Sequence, residues 1–144
     1  MFLTIKKIPK VFWSSKKPYN LRPNFSTFIF LCIGLAIFGL GEGLLIISLT
    51  GASPWSVLAQ GISINLGYSI GLVTFFVSLF ALSLWIFLSQ KPGIGTILNI
   101  IIIALMIDLS IFYIDTPQNY IGQLSMAVFA VLLVGLGSGI YLIA

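Results

Sequence analysis

No histidine occurs in this chain of 144 residues, cysteine occurs once, and acidic residues number three. With Cys32 as the only thiol, no internal disulfide can close, and the common zinc constellations have too few ligands. No arrangement of nucleophile and base is available for an enzyme of the hydrolase type, so an enzymatic role is not expected. Neither a metal nor a cofactor is expected. Charge is scarce as well: 7% of residues are charged and 59% are hydrophobic, whereas soluble domains carry roughly a quarter charged residues. A chain with so little charge cannot cover a soluble globule, which leaves an all-α protein of the membrane as the expected class.

The few cations are segregated. Lys6, Lys7, Lys10, Lys16, Lys17 and Arg22 all precede the first long apolar run, and only Lys91 follows it. Among the six lie Phe2, Phe12, Trp13 and Tyr19, while Pro9, Pro18 and Pro23 prevent one long helix. Lysines are drawn to anionic lipid and aromatic rings favour the interface, so residues 1–24 read as a basic arm on lipid headgroups. Nucleic acid is not an expected partner, because no nucleic-acid-binding fingerprint accompanies the basic residues. By the positive-inside rule the N-terminus lies in the cytoplasm, and four spans return the C-terminus there.

Residues 25–144 form the expected transmembrane helical domain. The first span, 25–49, would be about 37 Å of helix at 1.5 Å per residue, enough to cross a core of roughly 30 Å with tilt. Further spans are expected at 70–88, 94–114 and 120–144. Between the first two, Ser53 can cap a helix whose first position is Pro54, and Gly61 supplies a stop, giving a short helix over 54–60. Its apolar character suits an interfacial or a re-entrant placement. Cys32 reads as a small packing residue.

Internal similarity adds an architectural expectation. Gly39-Leu40-Gly41-Glu42-Gly43 and the five residues after it align without gaps on Gly135-Leu136-Gly137-Ser138-Gly139 and the five after that, at an offset of 135 − 39 = 96 residues. Three spans lie within one period. An odd number makes the two copies run in opposite directions, which is an inverted-topology repeat of the kind found in many secondary transporters. Gly39, Gly43, Gly135 and Gly139 have the small-xxx-small spacing of helix contacts in lipid. On this reading the chain stops within its second repeat, and its remainder is a missing C-terminal half or a second subunit.

Several stretches resemble, in order, the bacterial YczE-like integral membrane proteins, often grouped with YyaS and YitT. They are Gly39-Leu40-Gly41, Gly51-Ala52-Ser53-Pro54-Trp55-Ser56-Val57-Leu58, Gly67-Tyr68-Ser69-Ile70-Gly71, Lys91-Pro92-Gly93-Ile94-Gly95-Thr96-Ile97-Leu98-Asn99 and Ile107-Asp108. The resemblance implies a multi-pass protein of the bacterial inner membrane whose biochemical function is not established. It departs from the family pattern at Ser56, where an acid commonly follows Pro-Trp, and at Glu42, where an uncharged residue is usual.

Two acids fall inside the expected spans, Glu42 and Asp108, at a shared depth of about 9 to 10 Å from the outer boundary. No Lys, Arg or His lies within any span to pair with them, so each must be protonated, face a wet cavity or bind a cation. Together with Asn99, Ser53 and Trp55 they make a candidate substrate or ion site. The expected function is a small transporter-like permease, or part of one, for an unknown small solute. The alternative is an accessory or scaffolding subunit of a membrane complex.

Overall fold

The computed structural model describes residues 11, 12, 14, 23–89 and 92–144. The cationic arm residues Lys6, Lys7, Lys10, Lys16, Lys17 and Arg22, and Lys91, lie outside the described residues, and with them the expectation of headgroup contact. The described chain is all helical: α1 (Phe25–Ile47), α2 (Pro54–Leu66), α3 (Ile70–Phe87), α4 (Ile94–Tyr113) and α5 (Tyr120–Ile143).

Local chemistry sets the boundaries. Helix α1 starts after Pro23 and stops where Leu49 takes a left-handed φ of 56°. Ser53 is extended at the start of α2, its hydroxyl accepting from the Ser56 amide, and Pro54 occupies the first turn, where its missing N–H costs nothing. Helix α4 follows Pro92-Gly93 and ends ahead of Pro117, and Asn119 caps α5 by accepting from the Gly122 amide.

Helix α2 is longer than the 54–60 expected. It runs through Gly61 to Leu66, and the stop is Gly67, left-handed at φ 73°, whose amide bonds the Ser63 carbonyl. A glycine inside a helix costs only about 1 kcal/mol relative to alanine, too little to end one, whereas the left-handed position at residue 67 strains any residue with a Cβ.

Three helices, α1, α4 and α5, are long and apolar enough to cross a membrane. Helices α2 and α3 together pass the same test as a pair bent by 116°, a broken span or re-entrant loop; counted as one span, the pair brings the candidate crossings among the described residues to as many as four. The large side chains left outside, such as Phe80, Phe112, Phe129 and Leu132, are apolar, as lipid-facing surfaces are.

Helix α1 lies at the centre, against α4 and α5, while α3 packs on α4 and α2 on α3. Leu31, Leu35 and Ile46 meet Ile103 and Ile107 in one buried cluster, and Leu44 and Ile47 meet Ala130 in another. Glycines fix the register of both α1 interfaces. Gly39 sits over Ile103 and Met106, and Gly43 over Ile107 and Ser110, so α1 and α4 run parallel, with residues 42 and 108 at about one level.

Against α5 the direction reverses. A Cβ on Gly41 would lie 2.9 Å from both the Ala130 carbonyl oxygen and the Val134 nitrogen. A Cβ on Gly137 would lie 2.8 Å from the Gly34 carbonyl oxygen and 2.6 Å from the Phe38 nitrogen. The two sets are reciprocal: residues 130, 134 and 137 each follow residues 34, 38 and 41 by the 96 positions of the internal similarity (137 − 41 = 96). Gly135 and Gly139, expected to pack helices, meet nothing within 4 Å; Gly34, Gly41 and Gly137 make the close approach instead.

Candidate functional site

Glu42 projects from α1 toward the start of α2. Its Oε2 accepts from the Ser53 hydroxyl at 2.7 Å and from the Ser56 hydroxyl at 2.6 Å. Ser53 Oγ in turn accepts from the Ser56 amide at 3.3 Å, so one serine both caps the helix and joins that cap to an acid on another helix. The placement is favourable for a carboxylate, because the first turn of a helix presents unpaired N–H groups and a partial positive charge. Glu42 is 7% exposed, and no described residue donates to its other oxygen, Oε1.

Asp108 repeats the arrangement at the start of α3. Its Oδ2 accepts from the Ser69 hydroxyl at 2.6 Å, and Ser69 Oγ accepts from the Leu72 amide at 3.2 Å. The second donor differs: the Gly71 backbone amide bonds Oδ1 at 2.7 Å, so each oxygen of Asp108 has its own partner. This contact requires glycine at 71, since a Cβ there would overlap the Ala104 carbonyl oxygen and the Asp108 carboxylate. No described residue carries a positive charge, so neither acid is ion-paired within the described structure. Hydroxyls and helix starts take the place that a cation holds in most buried pairs.

A cavity of about 380 Å³ opens beside Glu42, within the range of small-molecule sites. Glu42, Ser53, Trp55 and Asn99 all line it, so four of the five candidate residues come together. Asp108 does not join them; it borders a separate cavity of about 400 Å³ with Ser69 and Gly71. The single site expected from a shared depth is thus two places, because Glu42 on α1 and Asp108 on α4 turn toward the starts of different helices.

The Glu42 cavity also takes in groups that sequence reasoning passed over. Ser56 is the second donor to Glu42, and the signal for it was its position three residues after the cap. Thr74 and Ser78, four residues apart and therefore on one helix face, bring polar groups from α3. Trp85 lines the cavity, as do Phe38 and Tyr141, whose rings meet edge to face at 5.7 Å. Phe38 belongs to α1 and Tyr141 to α5, so the cavity borders both helices of the internal similarity.

Residues 25–144 match the profile of a family of unknown function, DUF6198. The chain is 32% identical to an uncharacterized protein of Haemophilus influenzae over 96% of its own length and 62% of that protein's. It is 31% identical to the uncharacterized membrane protein YczE of Bacillus subtilis, over 83% of this chain and 54% of the relative. The chain therefore spans rather more than half the length of either relative. No solved structure matches it. With its apolar spans and these relatives, the chain belongs to the DUF6198 family of YczE-like integral membrane proteins.

Proposed function

We propose that the protein is a small transporter-like permease, or part of one, of the bacterial inner membrane, with its N-terminus in the cytoplasm and its solute site at the Glu42 cavity. The observation that carries this reading is the reciprocal packing of α1 on α5. Gly41 and Gly137 are equivalent under the internal similarity, and each rests on the carbonyl seven residues before, and the amide three residues before, the other's position. Two antiparallel copies meeting through the same backbone atoms is what a two-fold axis in the membrane plane would produce, and solutes in inverted-repeat transporters bind at the repeat interface. The cavity lies beside that interface and holds a carboxylate with an oxygen free to meet a ligand. Ionisable groups at such positions in membrane proteins mark solute or ion paths. The role is binding and passage, with no chemical conversion of the solute.

The exposed Gly135 and Gly139 favour a second reading, an accessory subunit whose open α5 face receives another chain. The two readings separate in reconstituted liposomes. Uptake of small organic solutes that falls to background in Glu42→Gln supports the permease. Absence of uptake, with stoichiometric co-purification of a larger membrane complex, would replace it by the accessory subunit.

A further inference from the structure

The chemistry of the Glu42 cavity selects a class of ligand, and this selection rests on the reading of that cavity as the solute site. An anion would be the natural guest of a helix start, but at α2 the place is taken: Glu42 Oε2 already accepts both serine hydroxyls, and its negative charge repels a second anion. The other oxygen, Oε1, has no described donor on a side chain that is 7% exposed. An acceptor so placed calls for a donor or a positive charge from the ligand. In the lining of the same cavity, α1, α2, α3 and α5 each contribute one aromatic ring, namely Phe38, Trp55, Trp85 and Tyr141. Aromatic faces attract cations and tolerate apolar substituents, whereas a bare metal ion needs several oxygen ligands that one carboxylate and scattered hydroxyls do not supply.

We infer that the Glu42 cavity, lined by all five helices, binds an organic monocation of the alkylammonium class, its charge on Glu42 Oε1 and its alkyl groups among Trp55, Trp85, Phe38 and Tyr141. Asn99, Thr74 and Ser78 supply hydrogen bonds to a polar substituent on the same ligand. A cavity of about 380 Å³ admits such a molecule with several carbon atoms. Asp108 takes no part, since both its oxygens hold α3.

The test uses the full chain in lipid nanodiscs and two probes: choline, and its uncharged isostere in which carbon replaces nitrogen. Calorimetry is expected to show choline binding about tenfold or more tighter than the isostere, with a loss of about tenfold or more in Glu42→Gln and in Trp85→Leu, and no change in Asp108→Asn. Trp85 makes none of the hydrogen bonds of the cap, so Trp85→Leu and the ratio of the two probes decide the matter if Glu42→Gln fails to fold. Equal affinity for the two probes, or choline binding unaffected by Glu42→Gln, overturns the cation assignment. In that case isostere binding that Trp85→Leu weakens leaves the cavity a site for neutral solutes. Absence of binding by either probe overturns the cation assignment and counts against the solute site.

Discussion

The starts of α2 and α3 are built from the same parts and put to different uses. Each has a serine whose hydroxyl accepts the amide three residues on and donates to a carboxylate from another helix: Ser53 to Glu42 of α1, Ser69 to Asp108 of α4. At α3 the second donor is a backbone amide, that of Gly71, and both carboxylate oxygens are consumed. At α2 the second donor is another hydroxyl, that of Ser56, and both donors converge on one oxygen. Asp108 is therefore spent on holding the hinge between α2 and α3 to the bundle, while Glu42 keeps an oxygen for the cavity. An acid within a membrane span is no single kind of signal. Each acid accepts two hydrogen bonds, and what sets the proposed solute contact apart is that both fall on one oxygen at Glu42 and one on each oxygen at Asp108.

Substitutions sharpen this contrast. The largest effect on folding is expected from Gly71→Val, which forces a side chain into the Ala104 carbonyl and the Asp108 carboxylate; a loss of roughly 3 kcal/mol or more should appear in thermal or denaturant unfolding in detergent. Asp108→Asn should cost about 2 kcal/mol by the same measurement, the range for hydrogen bonds to a charged acceptor, while solute binding stays within about twofold. Ser53→Ala and Ser69→Ala should each cost about 1 kcal/mol for the lost cap, but only Ser53→Ala should weaken solute binding, through the loosened Glu42. Equal loss of binding in the two serine variants would erase the distinction between the sites. At the small end, Gly135→Ala should change stability by less than about 0.5 kcal/mol, because nothing lies within 4 Å of the added methyl; a large loss would mean that this face is covered in the assembled protein.

Much of the fold was legible because bilayer thickness imposes helix length. The expected spans at 94–114 and 120–144 agree with α4 and α5 to within a residue, and the Ser53-Pro54 start of α2 rests on capping chemistry that needs no tertiary context. The end of α2 was misplaced because two glycines, at 61 and 67, both offered a stop, and only the backbone conformation decides between them. Glu42, Ser53, Trp55 and Asn99 could be picked out as rare polar or aromatic residues in an apolar chain. That Asp108 stands apart could not, since shared depth fixes height in the membrane but leaves the direction of a side chain around the helix to packing. The expected packing glycines divide for the same reason: Gly39 and Gly43 lie against α4, whereas Gly135 and Gly139 carry the right spacing but α5 turns Gly137 toward α1.

The central claim, that Glu42 meets the solute and Asp108 meets the fold, is tested most directly by comparing Glu42→Gln with Asp108→Asn in one preparation. Solute binding and thermal unfolding are measured on both proteins in nanodiscs. The account predicts that Glu42→Gln loses about tenfold or more in solute affinity, and that Asp108→Asn loses stability while binding solute as the unaltered protein does. Loss of binding in Asp108→Asn with normal binding in Glu42→Gln would contradict it.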